Sequence, residues 1–144
     1  MRLLFTMDKK DYDDTMPRFV RPSVRGIILM DGKVAMVHSL KFDYYKFPGG
    51  GIDPGEDHLQ TLVREVREET GLQVLPETVQ PYGRVYRAQR GDRGDVLIQD
   101  NFYYFCNVAR DGGSVRPGRL RAGRELYPGI CDTRSRNEYQ PESD

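Results

Sequence analysis

Cysteine and histidine are almost missing from this chain of 144 residues: only Cys106, Cys131, His38 and His58 occur. Two distant cysteines make no metal-binding spacing and no disulfide framework. That argues against a zinc module or a disulfide-stapled secreted domain and fits a reducing compartment. Net charge is missing too. With 22 basic and 22 acidic residues, nothing global draws the chain to nucleic acid or to an anionic membrane. Long apolar runs are also absent. No stretch could span a bilayer, and Met1-Arg2-Leu3-Leu4-Phe5 is too short for a signal peptide. No internal repeat or low-complexity tract is visible. The expectation is one soluble, cytoplasmic domain, long enough to bury a core.

What is present begins with strands. Leu3 to Thr6 reads as a short edge strand, followed by an acidic loop from Asp8 to Asp14. Val24 to Met30 and Val34 to Ser39 read as strands joined at Asp31-Gly32, a two-residue hairpin signal. A polar, aromatic loop from Lys41 to Tyr44 leads to a short strand at Tyr45-Lys46-Phe47. Later, Tyr82 to Gln89 and Leu97 to Val108 predict a long hairpin around the Arg90–Asp95 turn. Strands around a helix, mostly joined as hairpins, predict an α+β fold with helices packed on a sheet.

The helix is the informative part. Residues 50 to 72 read GGIDPGEDHLQTLVREVREETGL. Leu59, Leu62, Val63 and Val66 recur at i, i+3, i+4 and i+7, which is one apolar stripe of an amphipathic helix. Asp57 can cap its start with Gln60 as capping-box partner, and Gly71 supplies a left-handed stop. At 100° per residue, Glu65, Glu68 and Glu69 are expected to project together, away from that stripe. Like charges at these spacings weaken a helix by a few tenths of a kcal/mol per pair. Arg64 and Arg67 relieve part of this; a hard divalent cation such as Mg²⁺ or Mn²⁺ would relieve most of it. Taken alone, REVREE also reads as an ordinary solvated helix face. The preceding Phe47–Gly55 loop shifts the balance. Its glycine run, Gly49-Gly50-Gly51, lets backbone come close to a ligand beside the carboxylates.

Gly50, Glu56, Arg64, Glu65, Glu68, Glu69 and Gly71 stand at the spacing G-x5-E-x7-R-E-aliphatic-x-E-E-x-G-aliphatic, with Val66 and Leu72 in the aliphatic slots. Seven fixed positions match by chance in roughly one window in 10⁸. The string resembles the Nudix box, the signature of hydrolases that cleave nucleoside diphosphates linked to another group. The match covers roughly residues 20 to 108. The resemblance implies an α/β/α sandwich on a mixed sheet and a Mg²⁺ (or Mn²⁺) cofactor. It places metal ligation on Glu65, Glu68 and Glu69, with the carbonyl of Gly49, and on Glu56 through water or loop support. Arg64 would hold Glu56 or Glu65 rather than touch substrate. Glu68 or Glu65 would serve as general base. Relatives often take the base from a later loop, which makes Asp92, Asp95 and Asp100 candidates, though each fits a turn or strand-end role better.

Gly50, Arg25 and His38 are the candidate substrate contacts. Arg25 lies mid-strand, either at a solvated edge or aimed into the cleft. His38 ends its strand where some relatives meet a nucleobase. Arg87, Arg90 and Arg93 read as steering charges or plain surface, and Tyr103, Tyr104 and Phe105 as sheet packing or a stacking platform. The resemblance puts a lysine or other polar residue where Gly51 stands, so one phosphate contact is expected to be lost. The implied substrate is a nucleoside triphosphate or small nucleoside diphosphate derivative, including oxidised dGTP. Pro81-Tyr82 follows the box too soon for the downstream markers of other substrate classes. The implied partner is thus a nucleotide-type small molecule, with no nucleic acid and no membrane, acting on a monomer or homodimer.

Domain boundaries follow: residues 1–109 as the Nudix domain and 110–144 as an atypical tail. The tail holds seven arginines and three prolines with no sustained periodicity, where the resemblance implies a second helix. That helix is expected to be absent or degenerate, and the tail to be disordered or frameshifted. With permitted codons over Arg121 to Gln140, a one-base shift yields an acidic run, a strand and a Thr-Pro-capped helix start. The nucleotide sequence decides between divergence and a shifted frame. Two other functions share this architecture. A silent Nudix-fold nucleotide sensor would be eroded at Glu56, Glu65, Glu68 or Glu69, which are intact. An isoprenoid diphosphate isomerase needs a catalytic cysteine, and Cys106 reads as a small core residue.

Overall fold

A computed structural model describes residues 1–30, 33–39, 43–109 and 129–132. Nine strands and one helix are described: β1 (Leu3–Asp8), β2 (Arg18–Val20), β3 (Ser23–Met30), β4 (Lys33–Ser39), β5 (Tyr44–Lys46), β6 (Gly49–Gly51), α1 (His58–Thr70), β7 (Gln80–Arg90), β8 (Val96–Cys106) and β9 (Gly129–Asp132). A single 3₁₀ turn, Pro76–Thr78, follows the helix. The sheet runs β1-β7-β8-β3-β4-β5, with β2 on β8, β6 on β3 and β9 on β4. It is mixed: β1 runs parallel to β7, and both β2 and β3 run parallel to β8, while the remaining pairs are antiparallel. This is the α+β class.

Helix α1 forms where its signals stand. The Asp57 carboxylate accepts from Gln60 N, the Gln60 side chain answers on Asp57 N, and Gly71 closes the helix at φ 74°. Leu62 and Val66 are fully buried against Val24, Ile28, Ala35, Val74, Cys106 and Val108. The apolar stripe is narrower than the periodicity predicts, since Leu59 stays 39% exposed. Gly26, under the helix, allows the close approach: a Cβ there would lie 3.3 Å from Leu62 Cδ1 and 3.4 Å from Val66 Cγ2.

Other differences from the sequence reading have local causes. The glycine run is a strand, β6, paired antiparallel with β3 from Ser23↔Gly51 to Arg25↔Gly49. Gly49 adopts φ 150°, and a Cβ there would collide with the Val24 carbonyl oxygen. Only glycine lets these two backbones meet. β2 is too short and exposed to carry a readable hydrophobic period. After the helix, Val74 forms an isolated bridge with Val108. The acidic segment after β1 packs rather than loops freely: Tyr12 and Met16 lie against Ala88, Val96 and Ile98, and the Asp11 carboxylate accepts from Arg90 N at 2.7 Å.

The predicted turn at Asp31-Gly32 and most of the 110–144 tail lie outside the described residues. Within that tail, Gly129–Asp132 forms β9 and pairs with β4. No helix among the described residues is long and apolar enough to cross a membrane.

Candidate active site

Arg64 organises the site. Its Nε and Nη2 donate to the two oxygens of Glu56 at 2.8 and 2.9 Å, a bidentate pair, and its Nη1 donates to Glu65 Oε1 at 2.9 Å. Nη2 also reaches the Gly51 carbonyl at 3.4 Å and Asp53 Oδ2 at 3.2 Å. Glu68 Oε2 stands 3.5 Å from Nη1. Glu56 further accepts from Thr61 Oγ1 at 2.8 Å. These bonds to the ionised form, Arg64 foremost, hold the Glu56 carboxyl down at about 2. Glu56 in turn raises the Arg64 pKa, so the guanidinium is permanently charged.

Burial separates the three helix glutamates, which helical angles place on the side away from the apolar stripe. Glu65 is 2% exposed and Glu69 6%, whereas Glu68 is 45% exposed. The reason is non-local: β6 lies across the helix and covers two of the three. A Cβ on Gly50 would stand 2.5–2.7 Å from the Glu65 carboxylate atoms, so Gly50 gives the space in which that carboxylate lies. Glu69 Oε1 accepts from Gly49 N at 3.2 Å and its Oε2 pairs with Lys46 Nζ at 3.1 Å. Lys46, on β5, was missed by the sequence reading. Its signal was available, since it stands three residues before the glycine run that carries the site.

Arg25 joins through the same backbone: its Nη1 donates to the Gly49 carbonyl at 2.9 Å and to Phe47 O at 3.4 Å. The cross-strand neighbour Tyr103 meets Phe47 edge-on, with ring centroids 5.6 Å apart. Burial raises the Tyr103 pKa, while the charges of Arg25 and Arg87 oppose the shift. His38 has other partners: it stacks on Tyr45 at 4.4 Å, and its Nε2 lies 2.8 Å from Asp43 Oδ1. Asp100 pairs with Arg84 at 2.7 Å, and Asp95 closes its own turn, its carbonyl accepting from Gly91 N at 2.8 Å. Asp92 lies exposed in that turn. Tyr104 faces α1, with its Oη 2.6 Å from His58 Nδ1, beside a cavity of about 240 Å³ lined by Asp57, Leu59, Leu62 and Val79. Burial pushes the Cys106 thiol up to about 11, which makes it inert and unsuited to proton transfer near neutrality.

The donors gathered here are hard carboxylate and carbonyl oxygens, a set suited in chemistry to Mg²⁺ or Mn²⁺. Among the described residues, no three His, Cys, Asp or Glu side chains stand close enough to form a ready cation cluster. Arg64 bridges Glu56 and Glu65, and Lys46 pairs with Glu69.

A family model described as NUDIX domain matches residues 20–127. An RNA pyrophosphohydrolase of Stenotrophomonas maltophilia is 42% identical over 112 residues, covering 69% of this chain and 53% of the relative. Another of that name, from Xanthomonas campestris, is 44% identical over 69 residues, covering 46% and 32% respectively. The chain therefore spans about a third to a half of the length of these curated relatives. A NUDIX hydrolase from Nitrosomonas europaea aligns with a TM-score of 0.52 and 27% identity, over 74% of this chain and 68% of that one.

Proposed function

The chain belongs to the NUDIX family, and from that premise we propose that it is a divalent-cation-dependent hydrolase. It cleaves a diphosphate bond in a nucleoside triphosphate or nucleoside diphosphate derivative by attack of water at phosphorus. One observation carries the reading: Arg64 grips Glu56 and Glu65 in a fixed arrangement and leaves Glu68 beside them, open to solvent. A solvated helix face needs no such buried glutamates, since burying carboxylates is costly without a compensating role.

Mg²⁺ or Mn²⁺ would be held by Glu65, Glu68 and Glu69, with the Gly49 carbonyl and Glu56 in support. When bound, such a cation neutralises phosphate oxygens and acidifies water. The chain's own groups divide the remaining work. Glu65 is enclosed and bonded to Arg64, while Glu68 reaches solvent, which favours Glu68 as the base that takes the proton of the attacking water. The new P–O bond forms as the bridging P–O bond breaks, and the phosphate leaving group departs with its electron pair. Arg25 sets the carbonyl of Gly49 and, with Gly50, borders the substrate side. His38, held by Tyr45 and Asp43, would contribute at most a base-stacking edge.

The expectation of a small nucleotide without nucleic acid widens here. Relatives named RNA pyrophosphohydrolase add the 5′-phosphorylated end of an RNA to the candidate substrates, which needs only a local contact and no basic surface. A reducing, cytoplasmic setting belongs to the same reading. The test is product analysis with Mg²⁺ on nucleoside triphosphates, nucleoside diphosphate sugars, a 5′-triphosphorylated oligoribonucleotide and isopentenyl diphosphate, reading phosphate, pyrophosphate, monophosphate products and the isomerised diphosphate. Turnover is expected on one of the nucleotide substrates, and Glu68→Gln should lower it at least about 10²-fold with an unchanged melting temperature. A wild-type protein silent on every compound would overturn the proposal in favour of a binding module.

A further inference from the structure

Gly51 has no side chain, and an arginine from the link between β2 and β3 lies where one would begin. A Cβ on Gly51 would stand 2.8 Å from Arg21 Nε and 3.1 Å from Arg21 Nη2. The Arg21 backbone is anchored in place. Its N–H donates to Ile98 O at 2.7 Å, and the following Pro22 carbonyl accepts from Ile52 N at 3.0 Å. Pro22 also keeps residue 21 extended. The guanidinium is therefore delivered to one side of the β6 backbone, while Arg64 Nη2 reaches the Gly51 carbonyl from the helix.

The cations around this site differ in what they hold. Arg64 is bonded to Glu56 and Glu65, Lys46 to Glu69, and Arg25 to the Gly49 carbonyl. Arg21 is exposed, and among the described residues its guanidinium has no carboxylate or carbonyl partner, although Glu65 is one strand residue away behind Gly50. A planar five-donor cation held over Gly51, on the face of β6 opposite the Glu65 contact at Gly50, with no carboxylate or carbonyl partner among the described residues, suits an oxyanion. We infer that Arg21 is a substrate-binding residue whose guanidinium takes a phosphate oxygen of the polyphosphate chain, in the position that a side chain at residue 51 would otherwise occupy. This rests on the hydrolase reading.

Kinetics and binding test it together. Arg21→Ala should raise KM roughly tenfold or more, the usual loss for a charged hydrogen bond, with kcat little changed and no shift in melting temperature. Arg21→Lys should fall between. The decisive variant moves the charge: Arg21→Ala combined with Gly51→Lys fills the vacated space from β6 and should recover most of the lost KM. Titration of inorganic pyrophosphate with Mg²⁺ into wild type and Arg21→Ala reads the same contact without turnover. Equal KM and equal pyrophosphate affinity in the two proteins would overturn the inference and leave the hydrolase reading intact. If wild type turns over nothing, the hydrolase reading falls and the titration still decides Arg21. Weaker pyrophosphate binding by Arg21→Ala upholds the anion site; equal binding, or none, removes it.

Discussion

Helix α1 meets the sheet over two glycines, and the contacts beneath them have opposite chemistry. At Gly26 the helix presents Leu62 and Val66, with Cys106 Sγ 3.6 Å from where a Cβ would be. At Gly50 it presents the carboxylate of Glu65, buried to 2% exposure and bonded to Arg64. Both glycines permit close approach of helix to strand. Under Gly26 that closeness makes core. Under Gly50 it encloses a charge, which favours folding only because the guanidinium and its other acceptors come with it. One helix thus carries a packing contact and a reactive contact a few residues apart, and the first holds the second in register.

Substitutions can break this contrast. The largest effect is expected at Gly50→Ala, whose new methyl would overlap the Glu65 carboxylate. Displacing a buried group in a positioned site should lower turnover about 10²-fold, and overpacking should cost roughly 1–3 kcal/mol. Phosphate release and urea denaturation read the two losses; full activity would mean that Glu65 moves without consequence. A middle effect concerns acid. Glu56 titrates at about 2 folded against 4.5 as a free carboxyl, so between those values the unfolded chain binds more protons and stability falls as pH falls. The stability difference between wild type and Glu56→Gln should therefore be constant above about 4.5 and close on descent to about 2. A gap that persists at the acid end would assign the loss to packing. The smallest effect is expected at Gly26→Ala, where the tight neighbours, Leu62 Cδ1 at 3.3 Å and Val66 Cγ2 at 3.4 Å, are side-chain ends that can give way. Stability should fall by about 1 kcal/mol and turnover not at all. A loss of turnover there would show that the two contacts are coupled through α1.

Much of this was legible in the residues. The caps at Asp57 and Gly71, the extent of α1 and the long β7–β8 hairpin follow from short-range rules and appear as read. That Arg64 holds Glu56 or Glu65 was implied by the resemblance to the Nudix box, and its guanidinium bonds to both. Less was legible about orientation. Helical angles put Glu65, Glu68 and Glu69 on the side away from the apolar stripe but say nothing of burial, and Glu65 and Glu69 are buried while Glu68 is not. Arg25 against the Gly49 carbonyl and Arg21 over Gly51 were invisible, because each rests on β6 meeting the chain around β3, and Lys46 against Glu69 had only its nearness to the glycine run to suggest it. His38 shows the converse: a plausible position in sequence, with its ring committed to Tyr45 and Asp43.

The amino-acid string by itself determined that an acidic, capped helix follows a glycine run, since hydrogen bonds within one turn and the freedom of glycine depend on near neighbours only. Which of its carboxylates became buried, and which cations stand over them, was decided by β6 lying antiparallel on β3 beneath the helix. That pairing is fixed by contacts between residues more than twenty positions apart, and burial, unlike helical phase, belongs to whatever the other strand brings.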